Sequence, residues 1–176
     1  MKVISILALG IVASTVIAQG HGNAGSQEGL RSLAPLLGTW IGKTTFHGPN
    51  GNTIEADTTV KITTMANRHY LRQDQVTVTP QSVSDSMNII SYEPRMGFFN
   101  AWWFFSSAAS GPTQVRGKLD GKRLVMLSLE DPATTAPIFR RTINFEVANV
   151  LDDTLEMKQD GAWRTLFTVH YTKKQS

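Results

Sequence analysis

Hydrophobic and polar side chains alternate along most of this 176-residue chain. In residues 54–62, Ile54, Ala56, Val60 and Ile62 have even numbers, and the charged residues have odd numbers, so that the two sets differ in parity. Because alternate side chains of a strand point to opposite faces, this pattern predicts a half-buried antiparallel strand.

Runs with similar alternation recur through the chain and are separated by short polar turns. They cover residues 40–47, 68–78, 87–92, 98–107, 113–119, 123–129, 138–147, 154–159 and 163–172. Asp120-Gly121 and Asp160-Gly161 are strong hairpin sequences. A sheet of about ten strands would leave adhesive edges unless it closed on itself, so we expect an all-β, closed up-and-down antiparallel barrel. A two-sheet sandwich is the alternative.

The beginning of the chain does not follow this pattern. Residues 1–18 combine Lys2 with a short apolar stretch that ends in Val16-Ile17-Ala18, which is typical of a removable signal peptide. We therefore expect a secreted or periplasmic protein with no membrane span in its mature form. Residues 19–27 predict a flexible linker and residues 28–174 a single barrel domain. Leucines at helical spacing in residues 26–37, with Ser26 as the N-cap, predict one short helix.

Composition and charge exclude several classes of protein. The chain has no cysteine, which removes disulfides, thiolate metal sites and a lipid-modified cysteine anchor. Its net charge of +3 is scattered, with no basic stripe interleaved with aromatic residues. We expect no nucleic-acid partner, and the oligomeric state stays open.

Gly38-Thr39-Trp40, at the start of the first strand, is similar to the entry into calycin barrels, the group that contains lipocalins, fatty-acid-binding proteins and nitrobindins. More widely, residues 33–174 resemble a bacterial lipocalin-like family of unknown function, which implies a secreted barrel and no particular reaction. The matching residues are Tyr92-Glu93-Pro94, Phe99, Trp103, Gly117, Asp131-Pro132, Arg141, Asp160-Gly161 and Tyr171-Thr172-Lys173. His69 and His170 depart from the family, which more often has apolar or small residues there.

The strand predicted over residues 98–107 carries aromatic side chains on both faces. Phe99, Trp103 and Phe105 share one parity, and Phe98, Trp102 and Phe104 share the other. One set can either fill the core or line a pocket, because a barrel of about eight to ten strands can hold an interior cavity.

Trp40 and Arg141 are a possible pair, because in lipocalin-like barrels a tryptophan of the first strand often stacks on an arginine at the closed end. A buried guanidinium could instead bind a ligand carboxylate, as in fatty-acid-binding proteins, and Arg68, Arg72 and Arg140 are equally eligible. The predicted ligand-binding residues are Trp40, Phe46, Phe99, Trp103, Phe105 and Arg141.

Histidines provide the remaining candidates for chemistry. His69, Arg72 and Asp74 could supply a base, a cation and a carboxylate, but His69 has the opposite parity, which favours an outward salt-bridged strand. His170 could ligate haem as in nitrobindins, yet it shares its face with polar residues, so we expect a surface histidine and no cofactor.

Cleavage after Ala18 would place His21 third in the mature chain. The amine, two backbone amides and the imidazole could then hold Cu(II) or Ni(II) in a plane; the alternative is a histidine in an unstructured linker.

The sequence thus favours a binding protein for a small apolar molecule. Nucleophile elbows, phosphate loops and zinc-helix motifs are absent from it. The alternatives are an enzyme with its active site at the barrel mouth and a structural module with a filled core.

Overall fold

The computed structural model describes residues 21–106, 111–129 and 137–175. They form one α-helix, a 3-10 turn and ten strands. The elements are α1 (His21–Arg31), the 3-10 turn (Ala34–Leu36), β1 (Gly38–His47), β2 (Thr53–Met65), β3 (Tyr70–Val78), β4 (Val83–Glu93), β5 (Phe98–Phe105), β6 (Thr113–Asp120), β7 (Arg123–Ser128), β8 (Phe139–Asn144), β9 (Val150–Gln159) and β10 (Ala162–Lys173).

Each strand pairs antiparallel with the next along the chain, and β1 pairs with β10, so that the sheet closes. The prediction of an all-β, closed up-and-down barrel is confirmed. Closure removes the free edges that ten consecutive strands would otherwise expose.

The connections alternate between two ends of the barrel. We call one end the helix end, because α1 and the 3-10 turn lie there beside the turns that follow β2, β4, β6 and β8. The opposite loop end carries the longer connections after β5 and β7, parts of which lie outside the described residues.

The helix end is closed by apolar side chains. Leu33 and Leu36 are buried, and so is Trp40 at the start of β1. The indole Nε1 of Trp40 donates a hydrogen bond to the carbonyl oxygen of Leu36, 2.8 Å away. This bond attaches the 3-10 turn to the first strand and satisfies both buried polar atoms.

The helix differs from its prediction, because α1 begins at His21, well before Ser26, and ends at Arg31. It therefore overlaps residues 19–27, which were expected to form a linker. A Cβ on Gly29 would lie 2.0 Å from the Tyr92 ring, and one on Gly25 would lie 3.0 Å from Pro94. These helix glycines thus allow close contact with the end of β4, whereas their composition alone indicates flexibility.

Within the described part of the chain, no helix is both long and apolar enough to cross a membrane. The predicted signal peptide, residues 1–18, lies outside the described residues.

Candidate functional site

The interior of the barrel changes from apolar to polar between its two ends. Leu71, Ile90, Phe99 and Leu151 are buried towards the helix end. Further towards the loop end, inward positions of β1 to β4 and of β7 to β9 bury polar side chains. The buried polar residues are Thr44, Thr58, Gln73, Thr77, Asn88, Ser128, Arg141 and Asp153.

Arg141 and Asp153 form a buried ion pair in this polar region. Nε and Nη2 of Arg141 donate to the two carboxylate oxygens of Asp153, at 2.9 and 2.6 Å. When the side-chain amide of Asn88 is oriented with its oxygen towards Arg141, this oxygen accepts a hydrogen bond from Nη1 of Arg141 at 2.6 Å. The fork of the guanidinium is therefore occupied by the protein's own acceptors.

The surroundings of Arg141 keep its guanidinium charged. Burial by itself would lower the pKa of Arg141, but the charge and hydrogen bonds of Asp153 outweigh burial, and the pKa is raised. Neighbouring Tyr171 is a neutral phenol, because burial raises its pKa and the charge of Asp153 raises it further, while Arg141 opposes the change.

A small chamber of about 30 Å³ lies beside the pair on its loop-end side. Polar and apolar side chains both contribute to its wall. The lining residues are Gln75, Ser86, Asn88, Trp103, Phe105, Arg141, Leu155 and Phe167. A space of this size admits one water-sized group.

Trp103 is the largest side chain of the chamber wall and is 2 % exposed. Its ring centroid lies 5.8 Å from Cζ of Arg141. Among the described residues, its Nε1 has no hydrogen-bond partner. A buried indole N–H normally has a partner, so this donor distinguishes Trp103 from Trp40.

The chamber has a larger neighbour at the rim of the barrel. This rim depression, a shallow space of about 440 Å³, shares Gln75, Ser86 and Phe105 with the chamber and continues over the outer face of the sheet, where Arg72 and Asp74 line it. Phe105 ends β5 and is 38 % exposed, so it stands between the interior and the surface.

Four of the six predicted ligand-binding residues come together here. Trp103, Phe105 and Arg141 line the chamber, and Phe46 packs edge-on against Phe167, with ring centroids 6.0 Å apart. Of the two aromatic sets of β5, the one that contains Phe99 and Trp103 is the buried one.

The other two predicted residues belong to the helix-end core. Phe99 packs on Tyr92, with centroids 4.9 Å apart, and Trp40 is held by Leu36. The expected stacking of Trp40 on Arg141 is wrong. Lys173 faces Trp40 in the β1–β10 register, and its Nζ lies 5.1 Å from the ring centroid.

Asp153, Gln75 and Phe167 are site residues that sequence reasoning missed. Asp153 was assigned to a turn, because a charged residue after a polar run is typical of one. A signal was nevertheless present, since Asp153 has the parity of Leu151 and Leu155, which marks an inward position of β9.

The enzyme-like candidates do not form a cluster. His69 lies in the β2–β3 turn, with its Nε2 3.3 Å from the Gln27 amide. Arg72 and Asp74 form an exposed ion pair on the outer face of β3, as their parity predicts.

The candidates for metal or haem binding are also separate from the chamber. His170 is exposed, and its Nδ1 lies 2.7 Å from a carboxylate oxygen of Asp152. In the described ranges, no group of three or more acidic or histidine residues is placed to hold a metal ion. The predicted copper or nickel site at His21 also needs residues 19 and 20, which lie outside those ranges, so it stays a prediction.

A second cavity, the helix groove, lies between α1, the 3-10 turn and the β2–β3 hairpin and has a volume of about 370 Å³. Leu30, Leu37 and Leu71 form its apolar wall, while Arg31 and Arg68 contribute cations. Arg31 is already paired with Glu28 at 2.9 Å.

Residues 26–173 match the model of a family described as a protein of unknown function, DUF1579. This chain therefore belongs to the DUF1579 family. No curated protein matches the sequence.

Solved structures with the same fold include Rv2717c from M. tuberculosis, with a TM-score of 0.65, 15% identity, and coverage of 84% of this chain and 98% of that one. The S-type phycobiliprotein lyase CPES from Guillardia theta is also similar, with a TM-score of 0.58, 14% identity, and coverage of 86% and 94%. A protein of the DUF3598 family from Nostoc punctiforme has a TM-score of 0.53 and 17% identity, and the match covers 81% of this chain and 48% of that one. At these identities the likeness concerns the fold alone.

Proposed function

We propose that the protein binds a small, mainly apolar molecule at the loop end of the barrel, with one end of the molecule in the chamber. The observation that carries this proposal is the chamber itself, an interior cavity where Phe105, Leu155 and Phe167 meet a few convergent polar groups. Such a combination is typical of small-molecule sites.

The size of the chamber limits what enters it. About 30 Å³ holds the tip of a ligand and no more. The remainder would extend past Phe105 into the rim depression of about 440 Å³.

The comparisons are compatible with this proposal. The phycobiliprotein lyase CPES has a similar fold. The polar chamber also counts against the alternative of a structural module with a wholly filled core, because buried polar side chains cost free energy that an apolar filling would avoid.

A neutral fluorescent probe, N-phenylnaphthylamine, tests the proposal by titration. We expect saturable binding that Ser86→Phe abolishes, because the new ring would fill the chamber. The matched control is Ala34→Phe, which fills the helix groove instead. Ala34 is exposed, so this variant leaves the core intact.

The outcomes separate the two cavities. If Ala34→Phe abolishes binding and Ser86→Phe does not, the ligand site is the helix groove and the proposal is wrong. Native mass spectrometry of gently purified protein should also show a co-purifying small mass. The lack of both that mass and probe binding would support a structural module.

We also propose that the protein is exported, on the basis of residues 1–18. Cell fractionation and amino-terminal sequencing test this, and a full-length chain recovered from the cytosol would contradict it. The same sequencing decides whether His21 is third in the mature chain.

A further inference from the structure

We infer that the tip of the ligand is an uncharged hydrogen-bond acceptor, such as a carbonyl oxygen, and not a carboxylate. This inference rests on the proposed binding site and concerns the chemical class of molecule that it accepts. It follows from three properties of the chamber wall: its charge, its hydrogen-bond donors, and the way in which a ligand atom can reach Trp103.

The charge of the wall is balanced internally. Arg141 is its cation, and three of its nitrogens already bond to Asp153 and Asn88, at 2.6 to 2.9 Å. A ligand carboxylate would place a second buried anion beside Asp153, which is 1 % exposed, with Arg141 as the one cation of the wall for both. The structure therefore opposes an anionic tip, even though it contains a buried arginine.

The buried side-chain donor near the chamber that makes no hydrogen bond to the described residues belongs to a neutral group. Trp103 Nε1 is a donor with no acceptor among the described residues. Indole can donate but cannot accept, so only an acceptor satisfies it. The Ser86 hydroxyl can rotate to assist, and a neutral oxygen suits both groups.

Access to Trp103 requires a small adjustment of the wall. Nε1 has almost no accessible surface, so an acceptor reaches it when a neighbouring side chain moves aside. Phe105 is the most exposed residue of the wall, at 38 %, and it ends β5, so its rotation would disturb the core least. Side-chain rotation of this kind commonly accompanies binding.

Three naphthalenes that differ in one substituent at the same ring position test the inference. They are acetylnaphthalene, which has a carbonyl, isopropenylnaphthalene, which has a methylene in its place, and naphthoate. Their affinities are measured by displacement of N-phenylnaphthylamine in the Ala34→Phe protein, where the helix groove is filled. We expect the ketone to bind about fivefold tighter than the alkene, the ratio that one hydrogen bond gives, and naphthoate to bind weakest.

Two variants test whether the residues of the chamber wall cause this selectivity. Trp103→Phe should reduce the ketone-to-alkene ratio towards one, because the donor is lost. Asp153→Asn should shift the preference towards naphthoate, because Arg141 loses its counter-charge. The matched control is Asp152→Asn on the outer face of β9, where Asp152 contacts His170; it should retain the wild-type order. Circular dichroism confirms that each variant is folded.

The possible failures are distinguishable. If the alkene binds as tightly as the ketone, or naphthoate binds best to the protein with Asp153 intact, the inference is wrong while the binding site stands. If Asp153→Asn does not fold, the wild-type order and the effect of Trp103→Phe decide the matter. If neither the probe nor any naphthalene binds, the proposed function is wrong and the inference falls with it.

Discussion

Two buried tryptophans have opposite hydrogen-bonding states in this barrel. Both Trp40 and Trp103 are 2 % exposed, so burial alone does not distinguish them. The N–H of Trp40 meets the carbonyl of Leu36 in an apolar core, whereas the N–H of Trp103 lies in a polar wall without an acceptor in the described part of the chain. The tryptophan at the helix end thus needs no further hydrogen-bond partner, whereas the one in the wall near the loop end can donate to an acceptor of a ligand.

The surroundings of the two tryptophans differ in the same way. Apolar packing at the helix end stabilises the fold without needing any charge. The Arg141–Asp153 pair pays a desolvation penalty that its mutual attraction and hydrogen bonds offset. A well-packed apolar pair would give comparable stability, so the polar wall is more readily explained by binding than by folding.

Breaking the ion pair should have the largest effect on stability. Arg141→Met leaves Asp153 as a buried charge without its partner, and we expect a loss of about 3–5 kcal/mol in the free energy of unfolding, measured in urea. The double variant Arg141→Met/Asp153→Leu should recover most of this loss. A single-variant loss below about 1 kcal/mol would mean that water reaches the pair.

Matched tryptophan variants test the comparison directly. Trp40→Phe removes a satisfied donor and strands the buried carbonyl of Leu36, so we expect a loss of about 2–3 kcal/mol and no change in probe affinity. Trp103→Phe loses no hydrogen bond to the described residues, so its stability cost should be at least about 1 kcal/mol smaller. Equal costs in urea unfolding would contradict the distinction between the two ends.

Alkaline pH should reveal the buried phenol of Tyr171. Its pKa is raised by burial, so the folded protein keeps this proton at a pH where the unfolded chain has released it. The unfolded state then binds fewer protons, and stability falls by about 1.4 kcal/mol per pH unit above about pH 10. Tyr171→Phe should lessen this slope in urea unfolding, whereas Tyr70→Phe, at an exposed position, should not.

Phe105→Ala should have the smallest effect on stability and a clear effect on binding. The side chain is 38 % exposed, so we expect a change below about 1 kcal/mol in the free energy of unfolding. Probe affinity should fall several-fold, because the ring lines both the chamber and the rim depression. Unchanged affinity in the same titration would mean that the ligand does not bind at the loop end.

The strand pattern predicted much of this structure because alternation is a local property. That Phe99 and Trp103 share one face of β5 follows from their spacing without any knowledge of neighbouring strands. Hairpin sequences such as Asp160-Gly161 then determine that successive strands pair, and the number of strands favours closure. The fold was therefore predictable, whereas the structure decided which aromatic face of β5 is buried.

Only the tertiary structure decided which side chains meet. Asp153 lies opposite Ile143 and diagonal to Arg141, a relation set by the register between β8 and β9. The register of β10 on β1 likewise placed Lys173, and not Arg141, beside Trp40. A sequence gives the face on which each side chain lies, but contacts between strands depend on how far each strand is shifted along its neighbour. That shift is set by the packing of the whole barrel, which is why the fold was accessible from the sequence and the chamber was not.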